Sequence, residues 1–201
     1  MASAQVDLAI LHMLGRGVRK DKARAFELFL KAAMQGNPQA QMNVGVMYLR
    51  GDGVAENYAE AHHWFLKLAE RGDPKGQFNL AVMYANGQGL EKNVKEAARL
   101  YKLSAEQGYA LAQYQLGMAY LSGIGAEIDA AAAVRWFRKA AEQGNADAQF
   151  NLGIAYARGD GVEKDLSAAA KWYAKAAAQG MQKAQQLLDG LPKEYRDAQK
   201  P

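Results

Sequence analysis

The sequence repeats itself every 36 residues, five times over, without an insertion. Gly36, Gly72, Gly108, Gly144 and Gly180 close the successive copies. A fixed period of this size marks an array of small units that bury apolar surface by stacking on one another. The clearest copy is Asn145 to Gly180, NADAQFNLGIAYARGDGVEKDLSAAAKWYAKAAAQG. Its apolar residues fall on two helical stretches separated by a pair of glycines. Each unit therefore reads as helix A, a loop, helix B and a closing glycine, and the expected fold class is all-α.

The punctuation of the second copy supports this reading. Gly36 suits the left-handed conformation that closes a helix, and Asn37-Pro38 reads as an N-cap followed by the first helical residue. Helix A is expected from about Pro38 to Arg50, with Ala40, Val44, Gly45 and Tyr48 on one face. Gly45 recurs as Gly117 and Gly153. A mid-helix glycine costs up to about 1 kcal/mol, so close approach of a neighbouring helix is expected there. The loop pair Gly51/Gly53 recurs in every copy, but no strand precedes it and no GK[ST] follows, so a hairpin turn accounts for it better than a phosphate cradle.

Asp21, Asn57, Asn93, Asp129 and Asp165 are expected to cap helix B, with Glu60 and Glu96 positioned for a capping box. On helix B, Ala25 and its copies precede a bulky pair (Leu28-Phe29, Trp64-Phe65, Leu100-Tyr101, Trp136-Phe137, Trp172-Tyr173) read as core. Residues 181–190 begin a sixth helix A that caps the array, giving a single domain over residues 1–190. Residues 191–201 read as a polar, mobile tail.

Composition excludes several functions. The chain has no cysteine, hence no disulfide or thiolate chemistry, and no apolar run near the roughly 18 to 20 residues of a membrane span. No basic segment followed by an apolar one opens the sequence, so no secretory signal is recognised. The cytoplasm and the periplasm both remain open. Of the net charge of +4, most lies in the first copy, around Arg16, Arg19, Lys20, Lys22 and Arg24. A nucleic-acid-binding array should be basic in every copy; an acidic partner at this one loop is the more restricted alternative. His62 and His63 are adjacent in a helix and point about 100° apart, which does not build a metal site. No nucleophile setting or recurring carboxylate pair was found. Neither a cofactor nor a catalytic residue is expected.

The motifs A-Q-F-N-L-G-x-x-Y, G-x-G-V-x-x-D, W-Y-x-x-A-A and the closing Gly, recurring in phase from Ala4 to about Leu188, resemble the Sel-one-like repeat (SLR) family. That family is similar to the tetratricopeptide repeats, with two more residues in the glycine loop. The resemblance implies a right-handed superhelical solenoid of five helix-turn-helix repeats with a C-terminal capping helix, acting without catalysis as a scaffold or adaptor between proteins. It also brings alternatives: a penicillin-binding or β-lactamase-like activity, as in cysteine-rich relatives, which the absence of Cys disfavours, and RNA binding by analogy with other helical-hairpin arrays. The first copy departs most, with Leu8-Ala9 and His12 where Leu-Gly and Tyr are expected.

In such an array helix A lines a concave face, so positions 36 residues apart form ladders along it. Asp7, Asn43, Asn79, Gln115 and Asn151 make a polar ladder suited to the backbone of an extended peptide, or else to tying helix A to its neighbour. Beside it run Met42, Phe78, Tyr114 and Phe150, then Val46, Val82, Met118 and Ile154. Arg50, Asn86, Ser122 and Arg158 form a variable rim, with Gln39, Lys75, Leu111 and Asp147 on the first turn. The expected site is a groove on this face for a peptide or a partner helix, and its specificity lies where the copies differ.

Overall fold

Glycine closes each repeat by one backbone device. In the computed structural model, which describes residues 2–197, Gly36 lies at φ 86° and its N–H donates to Ala33 O at 2.9 Å, while Asn37 N–H donates to Ala32 O at 3.2 Å. This is a Schellman ending, available because glycine has no Cβ to clash in the left-handed region. The same pair of bonds recurs at Gly72, Gly108, Gly144 and Gly180. The residue after the glycine then starts the next helix: the side chains of Asn37, Asp73 and Asn145 accept from the N–H three residues on.

The described residues form α-helices in the order α1 (Ala2–Leu14), α2 (Lys22–Met34), α3 (Pro38–Arg50), α4 (Tyr58–Glu70), α5 (Pro74–Asn86), α6 (Val94–Glu106), α7 (Ala110–Ser122), α8 (Ala130–Glu142), α9 (Ala146–Arg158), α10 (Leu166–Ala178), α11 (Gln182–Asp189) and α12 (Lys193–Asp197). Odd-numbered helices through α9 are helix A and even-numbered ones through α10 are helix B, each of 13 residues. Two compact units divide within α6, one ending at Leu100 and the other starting at Tyr101. In the first, α1 packs on α2, α2 on α3, α3 on α4 and α4 on α5. In the second, α7 packs on α8, α8 on α9 and α9 on α10, and α10 carries both α11 and α12.

Helix B is capped at all five expected residues, from Asp21 (Arg24 N–H, 2.8 Å) to Asp165 (Ala168 N–H, 2.9 Å). The reciprocal half of the capping box is not made. The N–H that Glu60 would have received, that of Asn57, instead donates to Tyr48 O at 2.9 Å, and Asn93 N–H likewise donates to Tyr84 O. A main-chain acceptor orphaned at the end of helix A wins this donor. The carboxylate of Glu96 turns to Arg99 at 2.7 Å. The same closure, cap N–H to the carbonyl nine residues back, occurs in all five repeats and joins helix A to helix B.

The mid-helix glycines face aromatic rings of their own repeat. A Cβ on Gly45, Gly117 or Gly153 would lie 2.6 Å from Phe65, Phe137 or Tyr173. The second member of each bulky pair is thus the core residue, buried in every copy. The first member departs from expectation in two copies. Trp136 and Trp172 are only half-buried, and Lys139 and Lys175 lie 4.3 Å from their ring centroids. One face of each indole packs inward while the other meets a cation. The expected mobile tail also differs, because residues 193–197 are helical and packed on α10; residues 198–201 lie outside the described residues.

A polar row runs through this apolar interior. Gln41, Gln77, Gln113 and Gln149, one per helix A, are buried. Gln149 Nε2 donates to Ala141 O of the preceding helix B at 3.0 Å, and its Oε1 accepts from Gln179 Nε2 at 2.8 Å. Gln179 also donates to Gly144 O at 3.0 Å. Gln113 repeats the pattern with Ala105 O and Gln143, and Gln41 with Ala33 O and, at a longer 3.5 Å, Arg71. One amide therefore joins three consecutive helices.

Two substitutions test this account. Gln149→Leu keeps the volume but leaves Ala141 O and the Gln179 amide with one bond fewer each. It should cost about 1–3 kcal/mol in urea unfolding, whereas Gln5→Leu, at the half-buried equivalent in α1, should cost well under 1 kcal/mol. Gly153→Val overpacks against Tyr173 and should destabilise by about 1–3 kcal/mol, read as a lower melting temperature with unchanged helical circular dichroism.

Candidate functional site

The amide ladder is anchored to its own helix. Asn43, Asn79 and Asn151 each donate Nδ2 to the carbonyl four residues back, Gln39, Lys75 and Asp147, at 2.9, 2.8 and 2.9 Å. Asn79 Nδ2 also reaches Met42 Sδ of the preceding repeat at 3.5 Å. The bond fixes the amide rotamer, and among the described residues the oxygens of Asn43 and Asn79 accept no hydrogen bond. All three side chains are half-buried, as is Gln115, while Asp7 on α1 is exposed.

The apolar row is half-buried as well: Met42 and Phe78 in the first unit, Tyr114 and Phe150 in the second. Tyr114 lies 5.9 Å from Phe137 and Phe150 lies 6.2 Å from Tyr173, centroid to centroid, so each rests one edge on the core aromatic beneath it. Burial and the Asp147 carboxylate push the Tyr114 phenol above its ordinary pKa, with a hydrogen bond to Asn151 acting in the opposite direction. Val46, Val82, Met118 and Ile154 are half-buried one turn on. Arg50, Asn86, Ser122 and Arg158 are exposed, and so are Gln39, Lys75, Leu111 and Asp147. Each unit therefore presents an apolar strip beside fixed amides, with a varied polar margin.

A feature that the ladders did not anticipate lies at the end of the second unit. The capping helix α11 has 8 residues where every other helix A has 13. It leaves part of α9 and α10 uncovered, forming a cleft of about 290 Å³ among Ile154, Arg158, Tyr173, Gln186, Leu187 and Leu191. Burial raises the Tyr173 pKa, and the Arg158 guanidinium partly offsets this. The shortness of the sixth helix was visible in Asp189-Gly190-Leu191-Pro192, but its consequence for Arg158 required the packing.

The basic loop of the first repeat is exposed. Lys22 pairs with Asp52 and Arg24 with Glu27, whereas Arg16, Arg19 and Lys20 make no ion pair among the described residues. His62 is half-buried, with its pKa lowered by burial and by His63. No group of three or more His, Asp or Glu among the described residues is placed to hold a metal ion. No helix among them is long and apolar enough to cross a membrane.

The profile of the Sel1 repeat matches five successive segments, residues 2–37, 38–73, 74–109, 110–145 and 146–181. The chain belongs to the Sel1 repeat family. Its fold is accordingly an all-α array of five Sel1 (SLR) repeats, TPR-like in type. Among solved structures it is similar to a protective antigen of uropathogenic Escherichia coli with an SLR fold, at 37% identity and a TM-score of 0.87 over 93% of this chain. It spans only 40% of that protein's length. A Sel1 repeat protein from Oxalobacter formigenes is 36% identical, with a TM-score of 0.86, over 92% of this chain and 75% of that one. Helicobacter pylori cysteine rich protein B shares the fold at 23% identity and a TM-score of 0.53, over 66% of this chain and 96% of that one. No curated protein matches the sequence. Sel1 repeats are in general non-enzymatic modules of protein interaction.

The buried phenols give the array an alkaline limit. Burial pushes Tyr101 up to about 12, and Tyr114 and Tyr173 upward in the same direction. The unfolded chain ionises tyrosine near pH 10, so above that pH it has released protons that the folded chain retains. Stability should be complete below about pH 10 and fall as pH rises toward 12, measurable as a decreasing urea midpoint that tracks delayed phenolate absorbance.

Proposed function

We infer that the helix-A surface of each unit binds an extended peptide or a partner helix, and that the chain acts by binding alone, as a scaffold or adaptor. In the first unit the surface comprises Met42, Asn43, Phe78, Asn79, Arg50 and Asn86. In the second it comprises Tyr114, Gln115, Phe150, Asn151 and Arg158. Asp7 extends the polar ladder onto α1. The observation that carries this reading is the back-bonded amide. Asn43 and Asn79 are held in one rotamer with an acceptor oxygen uncommitted, beside side chains that are apolar and incompletely covered. A preorganised acceptor can take a peptide N–H without first being ordered, and the apolar strip supplies area for alternate side chains. A structural role for the amides is partly met by the same contacts, since Asn79 also touches Met42.

The varied margin then sets which partner is accepted. Arg50 and Arg158 favour acidic groups at two positions where Asn86 and Ser122 do not discriminate by charge. Arg16, Arg19 and Lys20 offer a further contact to an acidic partner, separate from the ladder.

The test begins with a partner recovered from the source cell and purified. Asn79→Ala should weaken its binding by about three- to tenfold, as expected for one hydrogen bond. Arg50→Glu with Arg158→Glu should weaken it further and flatten its salt dependence. Unchanged affinity in the triple variant, with the fold intact by circular dichroism, would move the site off helix A.

A further inference from the structure

Charge in the second unit is segregated by helix. The fourth and fifth repeats are each neutral: Arg135, Arg138 and Lys139 balance Glu127, Asp129 and Glu142, and Arg158, Lys164, Lys171 and Lys175 balance Asp147, Asp160, Glu163 and Asp165. Yet α8 and α10 carry Arg135, Arg138, Lys139, Lys171 and Lys175, all exposed, against the single carboxylate of Glu142. Helix B of the second repeat, α4, has the opposite balance, with Lys67 against Glu60 and Glu70. In the third repeat the cations equivalent to Arg135 and Arg138 are paired, Arg99 with Glu96 at 2.7 Å and Lys102 with Glu106 at 4.0 Å. Ala132 stands where Glu96 does. Arg135 therefore meets only Asp129, at 3.9 Å, whose other carboxylate oxygen caps Ala132. The remaining four cations and Glu142 make no ion pair among the described residues.

These unpaired cations are held in place around an open cleft. Arg138 Nη2 donates to Tyr156 Oη at 2.6 Å, and Lys139 Nζ lies 4.3 Å from the centroid of Trp136. With Arg135 they line a cleft of about 370 Å³, to which Val134 of α8 and Val162 of the following loop give apolar surface and Glu142 the one carboxylate. Trp172 packs against the cluster that contains Val134 and Phe137, and its ring carries Lys175 at 4.3 Å, so the cationic surface continues from α8 onto α10. Cations fixed by neutral partners keep their whole charge for an incoming anion and lose little further freedom in meeting it.

We propose that this helix-B face of the second unit binds an acidic segment of a partner protein. One apolar side chain of the segment enters the cleft against Val134 and Val162, and the Asp or Glu carboxylates on either side of it pair with Arg135, Arg138 and Lys139, then with Lys171 and Lys175. Charge complementarity selects this occupant. A lipid surface would call for apolar side chains to insert, and among the described residues no large aliphatic side chain on α8 or α10 is exposed. Single-stranded nucleic acid would call for open aromatic faces on which to stack bases, and the outer faces of Trp136 and Trp172 are occupied by Lys139 and Lys175. The site is separate from the amide ladder and does not rest on the function proposed for it.

The probe is a synthetic heptapeptide of Asp and Glu with a central leucine, titrated at low salt into the full chain with methyl-labelled Val. Saturable shifts at Val134 and Val162, and not at Val46 or Val82 of the helix-A surface, are the expected result, with a dissociation constant of about 0.1–1 mM for so small an interface. Arg138→Glu should weaken binding about five- to tenfold, as should Arg135→Glu with Lys171→Glu. All three positions are exposed, so both variants should fold normally by circular dichroism. A central serine in place of the leucine should weaken binding about tenfold. The proposal fails if no saturable shift is seen, if the serine peptide binds as tightly, or if the shifts lie elsewhere and persist in both variants. Tighter binding of phosphatidylserine vesicles or of a ten-nucleotide oligouridylate, lost in Arg138→Glu, would assign the face to a membrane or to nucleic acid and overturn it. A dimer in light scattering that Arg138→Glu dissociates would overturn it in favour of a second copy.

Discussion

A stack of helical hairpins must dispose of the carbonyls at the end of each helix B, which the next helix A covers. Left unpaired in an apolar interface they would cost several kcal/mol in sum. The closing glycine N–H takes one lone pair of Ala33, Ala105 and Ala141 O, and the glutamines at 41, 113 and 149 take the second and add direction: one side chain reads the carbonyl behind it and is read by the cap residue of its own hairpin. Apolar packing alone tolerates sliding, because alanines at one turn resemble alanines at the next. An amide that must meet a particular carbonyl at 3 Å does not. The loop stacking, in which Gly53 and Gly161 meet the first turn of the preceding helix B, presupposes this register.

What could be read from the sequence follows from how few residues solve a given backbone problem. A left-handed turn closing a helix calls for glycine, and an orphan N–H at a helix start calls for Asp or Asn, so Gly36, Asn57 and Asp165 declare their roles by type alone. Glutamine has no such exclusive role. Gln41 looks like a surface residue until its position, between Ala40 and the inward turn of Val44 and Gly45, turns it toward the core. The capping box at Glu60 does not close because the pattern names the donor and its usual acceptor but not the competing carbonyl of Tyr48, nine residues back. Size alone points Trp136 and Trp172 to the core, yet both are half-buried. The lysine three residues on does not distinguish them, since Lys67 stands in the same relation to the buried Trp64.

The candidate surface was legible in outline for the same reason. Positions 36 apart share an environment, so Asn43, Asn79 and Asn151 had to resemble one another. How each amide divides its hydrogen bonds between its own helix and the outside did not follow from spacing. Nor did the cleft beside Arg158, which exists because α11 is short. In the function proposed above, fold and recognition are written in different residues of one unit: recurring ones set the stacking, and those that change from copy to copy set the chemistry offered to a partner.

Asn37 belongs to two helices at once. Its N–H completes the ending of α2 and its side chain begins α3, with no residue between the two tasks. Asp73 and Asn145 are placed in the same way. A single inserted residue at such a junction would separate the two functions and leave one helix end unfinished. A short insertion is therefore disfavoured at these junctions, whereas a whole hairpin inserted there brings its own cap and closing glycine.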